Sequence, residues 1–436
     1  MQKEYLNITE SYLERIIHIS LFLYLFLLIF PHTTTPKEIA FWAAFLCWVV
    51  LRFKNPESFI GLKPARFFSN VVNPIIASLS LFMFIAFISS IIGMEPLENL
   101  KRFKGELLVP FFLFLIAATE LSDIEKVKRL LFAPVIAFAV YTLLAVAEST
   151  NYGLHYFWDK SGREKYIWLT NYSQTGAIVF PLILGLFLFA KNRWFKYSLA
   201  AFAFLEFMIL AAYRSLTPLL GVITVLLLWV AFVRPKRYRL WMVGFICLFV
   251  SVSVLLFYTH KNNPAVNELS AKFEKLFNIS GEFTSEGGFS NRMPAWIAAV
   301  DIIKERPILG YGWGIKKFEK LVYQKKFLEK WKESKPSVYE FYTVNMKNSF
   351  FPPHNLFLEI AVQSGILGIT TFICFIGIYL YFLVKNIKII NSDAEHNFSV
   401  ILIGGTFLSF MIMNLMNNDL GNVSGKILFV ALGSGA

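Results

Sequence analysis

The sequence predicts an all-α polytopic integral membrane protein with about twelve transmembrane helices and one large helical loop. Hydrophobic residues make up 56% of the 436 residues and charged residues only 16%, whereas an average soluble domain carries about 25% charged residues. The apolar residues occur in long blocks and not in period-two alternation, which disfavours a transmembrane β-barrel. This composition excludes soluble, disordered and disulfide-stabilised proteins.

The apolar blocks define the predicted membrane spans. Eleven of them approach or reach the length that crosses a hydrocarbon core of about 30 Å. They lie at 16–30, 39–53, 75–94, 107–119, 130–148, 172–190, 197–212, 216–233, 240–257, 366–384 and 398–416. A last, shorter run at 425–432 predicts a truncated or half-inserted twelfth helix.

The basic residues of the connections predict a cytoplasmic N-terminus. In that orientation 18 Lys and Arg residues lie on the cytoplasmic side and 8 in the opposite short loops. We therefore expect nine transmembrane helices in 1–257, a large extracytoplasmic loop with the functional motifs in 258–357, and helices 10–12 in 358–436. The net charge of +13 then indicates contact with membrane lipid phosphates and not with nucleic acid.

Two helices are predicted inside the long loop. The first covers 290–305, where Ser290 or Asn291 can cap the helix and Pro294 is tolerated in its first turn. The second covers 316–333 and resembles an amphipathic helix that lies in the membrane interface. Its apolar face consists of Phe318, Leu321, Val322, Leu328 and Trp331.

Two arginines are candidates for anion binding. Arg214 lies in a very short turn between two spans, where it is either a snorkelling interface residue or an anion clamp held by rigid helix ends. Arg292 lies in the first turn of the predicted loop helix, where free N–H groups favour a phosphate. Trp296 follows one turn later on the same face. The alternative for this pair is a surface arginine beside a packing tryptophan.

A glycine-rich stretch and a histidine complete the candidates. Gly310, Gly312 and Gly314 alternate in 307–314, either for substrate contact or for a turn that lets a helix re-enter the site. His354 and Asn355 lie where the long loop meets the membrane again. A lone histidine is commonly structural, but it is also the usual residue for moving a proton near neutral pH. No metal-ligand spacing surrounds His354, so we expect no metal site.

The order of these motifs resembles the O-antigen ligase and O-antigen polymerase superfamily, and O-antigen ligases most. The residues that carry the resemblance are Arg292-x-x-x-Trp296, Pro307-x-x-Gly310-x-Gly312-x-Gly314 and His354-Asn355-x-x-Leu358-Glu359, followed by Gly365-Ile-Leu-Gly368. The match is strongest over 291–314 and 353–368. The abrupt C-terminus and the lysine-rich stretch 316–335 have no counterpart in the family pattern.

The resemblance implies an inverting glycosyltransferase of the GT-C-like membrane class, in the bacterial inner membrane, with its site facing the periplasm and with no metal or other cofactor. Its donor would be an O-antigen glycan on undecaprenyl diphosphate and its acceptor a sugar hydroxyl of lipid A–core. Arg214 and Arg292 would hold the diphosphate, and His354 would activate the acceptor. The wider substrate-binding set contains Trp296, Gly310, Gly312, Gly314 and Asn355.

A second group of basic residues opposes the general charge bias of the loops. Lys101, Arg102, Lys104 and Arg163 lie on the predicted periplasmic side, where both the donor and the acceptor carry phosphates. They are candidates for substrate binding, and ordinary solvated loop residues beside neighbouring glutamates are the alternative.

Three other functions remain open at this point. A polymerase of the same superfamily would use a second lipid-linked glycan as acceptor, and a protein O-oligosaccharyltransferase would use Ser or Thr. A transporter of lipid-linked sugars is disfavoured because ionisable residues are few within the spans. Glu206 is the clearest of them, and a carboxylate paired between helices or facing the interface is its simpler interpretation.

Overall fold

The computed structural model describes residues 2–54, 72–121, 124–152, 172–212, 216–234, parts of 236–251, 292–314, 316–346, 351–390, 392–417 and 420–435. Within these ranges the ordered elements are helices joined by turns, and no strand occurs. The all-α prediction is therefore confirmed for the described part of the chain.

The helices before the long connection are α1 (Gln2–Leu28), α2 (Thr34–Lys54), α3 (Val72–Ile92), α4 (Pro96–Phe103), α5 (Val109–Glu120), α6 (Ile124–Tyr152), α7 (Tyr172–Phe189), α8 (Arg193–Ala212) and α9 (Leu216–Phe232). The later ones are α10 (Met293–Glu305), α11 (Lys316–Val322), α12 (Lys325–Ser334), α13 (Pro336–Glu340), α14 (Leu356–Ile389), α15 (Asp393–Asn397), α16 (Gly405–Asn414) and α17 (Val423–Gly435). Three π-helical segments continue α4, α13 and α15 at Lys104–Leu108, Phe341–Asn345 and Phe398–Gly404.

Seven described helices are long and apolar enough to cross a membrane. They are Ser11–Leu28, Thr34–Lys54, Pro74–Ile92, Ile124–Ala147, Tyr172–Phe189, Leu356–Ile389 and Glu395–Asn414. Two shorter apolar helices cover Thr217–Phe232 and Val423–Ser434. The run at 240–257 lies mostly outside the described residues, so the total of twelve spans stays a prediction.

The predicted last run lies within α17. α17 has 13 residues, which corresponds to a rise of about 20 Å and is shorter than a hydrocarbon core. It packs along α5, and the backbone of Phe114 comes so close that a side chain at Gly433 would overlap with it. This contact buries α17 within the bundle.

The centre of the bundle is α7. Its side chains are buried almost without interruption from Tyr172 to Leu186, as expected for a helix that is apolar on all sides. It contacts α6, α8, α9 and α16. α3 packs along α14, and α9 packs along α16.

The helix ends that the sequence assigns to the cytoplasm meet at one end of the bundle. Arg52 at the end of α2 pairs with Glu120 at the end of α5. Lys128 near the start of α6 lies 4.2 Å from the ring centre of Phe189 at the end of α7. These contacts agree with the alternation of helix directions that the charge pattern predicts.

The loop helices α10 to α13 build a separate apolar core. Ala295, Ala298 and Ile302 of α10 pack there with Trp331 and Tyr342, and each of these side chains is buried. α10 begins at Met293, with Pro294 in its first turn. Ser290 and Asn291, the predicted caps, lie outside the described residues.

The prediction of one interfacial helix over 316–333 is wrong. The segment forms two helices, α11 and α12, because Gln324 has an extended backbone (φ −66°, ψ 132°). Phe318, Leu321 and Val322 are buried in the loop core, as are Phe327 and Trp331 of α12. The apolar face is therefore occupied by protein and is not free to enter a lipid interface.

The long helix α14 is interrupted at Gly365. This residue has φ 65° and ψ −165°, a backbone region that is almost restricted to glycine. A continuous helix would pair the N–H groups of Ile366 and Leu367 with the carbonyls of Val362 and Gln363. The break therefore leaves two donors and two acceptors without their helical partners.

The loop 307–314 provides new partners for all four groups. Its carbonyls accept from the donors after the break, and its N–H groups donate to the acceptors before it. The hydrogen bonds are Ile366 N to Pro307 O (2.7 Å), Leu367 N to Ile308 O (3.3 Å), Tyr311 N to Val362 O (3.0 Å) and Gly312 N to Gln363 O (2.8 Å). The loop and the broken helix thus form one hydrogen-bonded unit.

A buried polar cluster joins three helices of the bundle. The Glu206 carboxylate of α8 is fully buried and accepts from Thr142 Oγ1 of α6 (2.6 Å) and from Tyr172 OH of α7 (2.8 Å). Glu206 is therefore a carboxylate paired between helices, which was the simpler of its two interpretations.

We predict that Gly365→Ala destabilises the protein by roughly 1–3 kcal/mol or more. Alanine strains the backbone at this φ, and its Cβ would overlap with the carbonyl of Ile308. Thermal unfolding in detergent measures the loss. Gly377→Ala in the same helix is the matched control, because nothing lies within 4 Å of its Cβ position. Equal melting temperatures for the two variants would contradict the prediction.

We predict that Glu206→Ala lowers the free energy of unfolding by about 1–3 kcal/mol, because it leaves buried hydroxyls without an acceptor. Glu206→Gln should lose much less, since the amide keeps one acceptor oxygen and adds a donor. Denaturant titration in detergent compares the two variants. Equal stability of both would show that the hydrogen bonds of this cluster contribute little.

Candidate functional site

The site is formed where two parallel helices begin side by side. α10 follows Arg292 directly, and α14 follows Asn355. Their first turns are joined by a hydrogen bond from Trp296 Nε1 to the carbonyl of Pro353 (2.8 Å). The far end of α10 continues into loop 307–314, which is hydrogen-bonded to α14 at its break at Gly365. The two helices therefore run in the same direction and place their positive ends next to each other.

Arg292 lies at the start of α10 with a half-buried side chain. Burial is the cause that lowers the pKa of its guanidinium, although an arginine keeps its charge in a protein. Among the described residues, no carboxylate lies within ion-pair distance of this group. A half-buried cation at the N-terminal ends of two helices is a favourable place for an anion.

His354 lies beside Arg292 and immediately before the cap of α14. Burial, and then the positive charge of Arg292, lower the pKa of His354 to about 4. The imidazole is therefore neutral at physiological pH and can accept a proton. Its ring packs edge-to-face on Phe351, with the ring centres 5.0 Å apart.

The backbone at His354 is strained. Its φ of 47° is positive, which is uncommon for a residue other than glycine, although histidine adopts it more often than most other residues do. Such conformations are maintained only where the surrounding contacts determine them. The peptide before His354 is held by Trp296, and the residue after it is Asn355, which has contacts of its own.

Asn355 fixes the start of α14 in two ways. Its Oδ1 caps the helix by accepting from Leu358 N (3.0 Å), and its Nδ2 donates to Leu415 O (2.9 Å). Two residues after Leu415, Asn417 donates to Thr217 Oγ1 in the first turn of α9 (3.0 Å). The start of α9 and the start of α14 are thus linked through the turn that follows α16.

The predicted residues fall into three groups. The structure brings Arg292, Trp296, His354 and Asn355 together. Arg214 and Arg163 lie outside the described residues, so their roles stay predictions. The remaining candidates lie in the structure next to other protein groups.

The three glycines of 307–314 are buried against backbone and side chains of the protein. A side chain at Gly312 would overlap with the amide of Asn99, and one at Gly310 would overlap with Gln363. Gly312 and Gly310 also have positive φ values of 95° and 65°. This geometry fits the interpretation of a turn that lets a helix re-enter the site, and substrate contact by these glycines stays a prediction.

Two of the three basic residues at 101–104 have partners within the protein. Arg102 pairs with Glu98 (3.1 Å) and Glu106 (3.5 Å). Lys104 lies 5.4 Å from the ring centre of Trp42, and the side chain of Lys101 is exposed. The ion pairs favour the alternative of ordinary charged residues for Arg102, and binding of substrate phosphates stays a prediction for this group.

Sequence reasoning missed the residues that fasten the loop to the helices. Gln363 accepts from Gly314 N through its side chain (3.1 Å), and its backbone carbonyl accepts from Ser89 Oγ (2.6 Å). Lys317 is 4% exposed and donates to the carbonyl of Trp313, and burial lowers the pKa of Lys317 to about 8. Gln363 is adjacent to the Gly365 motif, but no pattern distinguishes Lys317 from the other lysines of its segment.

We predict that acid weakens the fold through His354. Its pKa is about 4 in the folded protein and 6.5 in its unperturbed state, so the unfolded chain binds a proton that the folded chain does not bind in this window. Stability is therefore lost as the pH falls from about 6.5 towards 4. Between about pH 7.5 and about pH 5, His354→Gln should lose ~1–2 kcal/mol less than the unmodified protein. Melting temperatures at both pH values test this, and an identical loss in both proteins would contradict it.

Comparison with known proteins gives one family match. Residues 201–373 match a family model that is described as O-antigen ligase. The matched range contains Arg214, Arg292, Trp296, the loop 307–314 and His354. No curated protein matches the chain. Among the described residues, no group of three His, Cys, Asp or Glu side chains could hold a metal ion.

The family match covers about two fifths of the chain, and it includes both helix starts that form the site. The apolar helices on either side of that site are those of a multi-pass membrane protein. The resemblance found in the sequence motifs is thus confirmed, because residues 201–373 of this chain match the O-antigen ligase family.

Proposed function

We propose that the protein is an inverting, metal-independent glycosyltransferase that moves an O-antigen glycan from undecaprenyl diphosphate to a sugar hydroxyl of lipid A–core. The observation that carries this proposal is the position of Arg292 and of a neutral His354 at the starts of two parallel helices, where the charge of Arg292 acts on the imidazole. An anion site and a proton acceptor are thereby side by side. A transfer from a diphosphate to a hydroxyl needs both.

The donor diphosphate is bound at Arg292. A guanidinium pairs with two phosphate oxygens at once, and the N–H groups in the first turn of α10 add favourable dipoles. Arg214 is a second arginine for the same anion. Fixed positive charge at the leaving group stabilises the charge that develops in the transition state.

His354 accepts the proton of the acceptor hydroxyl. The hydroxyl oxygen attacks the anomeric carbon, the bond from that carbon to the diphosphate oxygen breaks, and the proton passes to the imidazole. Attack opposite to the leaving group inverts the anomeric centre. The diphosphate lipid leaves as an anion beside Arg292, and His354 then returns its proton to water.

Donor binding strengthens the base in this arrangement. The charge of Arg292 is one of the two causes that lower the pKa of His354. A bound diphosphate neutralises that charge, so the pKa of the imidazole rises towards its ordinary value. His354 thus becomes a better proton acceptor when the donor is in place.

The charge bias of the connections supports a cytoplasmic N-terminus in the bacterial inner membrane, with the site facing the periplasm. In this arrangement 1–257 and 358–436 hold the transmembrane helices, and 258–357 is the periplasmic loop. The loop helices α10 to α13, with their own apolar core, support such a division.

We predict that Arg292→Ala lowers kcat/KM for transfer by about 10²–10³-fold and that His354→Ala lowers it by about 10²–10⁴-fold. The assay uses proteoliposomes with the undecaprenyl diphosphate glycan, lipid A–core and EDTA. Arg306→Ala is the matched control, since Arg306 is exposed at the other end of α10 and should leave the rate nearly unchanged.

Each product of this assay has one meaning. Glycan on lipid A–core in the presence of EDTA supports the ligase. Longer lipid-linked chains without core product would make the protein a polymerase. Glycan on Ser or Thr of an added acceptor protein would make it a protein O-oligosaccharyltransferase. Movement of the lipid-linked glycan across the bilayer without any transfer would make it a transporter.

A further inference from the structure

The hydrogen bond between Trp296 and Pro353 connects the two functional residues of the site. Trp296 lies one turn after Arg292 on α10, and its backbone N–H donates to the carbonyl of Arg292 (2.9 Å). Its indole N–H reaches the carbonyl of the residue immediately before His354 (2.8 Å). One side chain therefore spans from the helix of the anion site to the peptide of the proton acceptor.

The need for this bond follows from the backbone of His354. A positive φ of 47° at this residue costs on the order of 1–3 kcal/mol and persists only where neighbouring contacts impose it. On the C-terminal side, the two hydrogen bonds of Asn355 hold the chain. On the N-terminal side, Trp296 donates a hydrogen bond to the carbonyl of Pro353, which belongs to the peptide that links Pro353 to His354.

We propose that Trp296 is a positioning residue that fixes the imidazole of His354 relative to Arg292 through its hydrogen bond to Pro353, and that it does not act by contact with the substrate. This inference rests on the proposed function, because it gives His354 the role of proton acceptor. It replaces the substrate-binding role that the sequence suggested for Trp296.

The loss of this bond has a defined chemical signature. Without this hydrogen bond, the backbone of His354 can relax towards a negative φ, and the imidazole moves from its buried position. Misplacement of a catalytic group by about 1 Å can cost 10²-fold in rate. Arg292 stays in place, so donor binding is preserved. A more exposed imidazole also has a higher pKa, because burial is the main cause of its low value.

The test is Trp296→Phe in proteoliposomes, with kcat and the KM for the donor measured from about pH 3 to 8, a range that includes the His354 pKa of about 4. Phenylalanine keeps an aromatic ring and removes the indole N–H. We expect kcat to fall by about 10–100-fold, with KM changed by less than about threefold. The acid limb of the pH profile of kcat/KM should move to higher pH.

Trp331→Phe is the matched control. Trp331 is buried in the loop core, whereas Trp296 is half-buried, and the indole N–H of Trp331 likewise makes a hydrogen bond, to Asp301 Oδ2 (3.0 Å). This variant loses the same kind of bond without contact to Pro353. It should leave the acid limb of the profile and the ratio of kcat to KM unchanged.

Four results would overturn the inference. An unchanged kcat in Trp296→Phe would show that the bond does not position His354. A raised KM with an intact kcat would identify Trp296 as a substrate contact. Loss of donor lipid binding in Trp296→Phe, or an equal shift of the acid limb in Trp331→Phe, would show a general defect of the loop core.

His354→Ala separates this inference from the proposed function. If His354→Ala transfers glycan at the unmodified rate, the proposed function fails, whatever Trp296→Phe does. If His354→Ala is inactive and Trp296→Phe is fully active, the proposed function stands and the positioning role of Trp296 fails.

Discussion

The site depends on one hydrogen-bonded joint, the insertion of loop 307–314 into the break of α14 at Gly365. A helix that breaks inside a membrane protein exposes backbone groups that must find partners. Here the loop supplies two acceptors and two donors at the positions where the helical bonds are missing. Because the loop follows α10 directly, the joint also fixes the far end of α10 against α14. The two helices then lie parallel, and their starts meet.

This arrangement brings together two basic side chains whose positive charges would repel each other if both were protonated. Arg292 and His354 lie at helix N-termini, where a positive charge is unfavourable in the absence of an anion. The protein keeps His354 neutral by burying it, and its pKa falls to about 4. The result is a site with a strong preference for a negatively charged ligand. In the proposed function, the diphosphate of a lipid-linked glycan would satisfy this preference and would at the same time make the histidine a stronger base.

The loop core shows how tertiary packing changes the meaning of a sequence pattern. The spacing of Phe318, Leu321, Val322 and Trp331 predicts an amphipathic face, and that face exists. A periodic apolar face predicts only that some apolar surface covers it, and that surface can be lipid or protein. Here α10 and the π-helical turn with Tyr342 provide the cover, so the face packs on protein. The break at Gln324 lets α11 and α12 turn around this core.

The sequence by itself determined the membrane class, most helix positions and the candidate site residues Arg292 and His354. These follow from local properties, namely the length of apolar runs and the order of short motifs. It did not predict the break of α14, because the predicted span begins at residue 366, whereas the helix begins at Leu356 and is interrupted at Gly365.

Only the tertiary structure decided how these residues act. The sequence contains no sign that Trp296 bonds to Pro353, that Gly310 and Gly312 pack on α14 and Asn99, or that Lys317 is buried. Each of these contacts joins residues that are distant along the chain or depends on burial by other elements. The low pKa of His354 has the same origin, because it depends on the fold that places the imidazole beside Arg292.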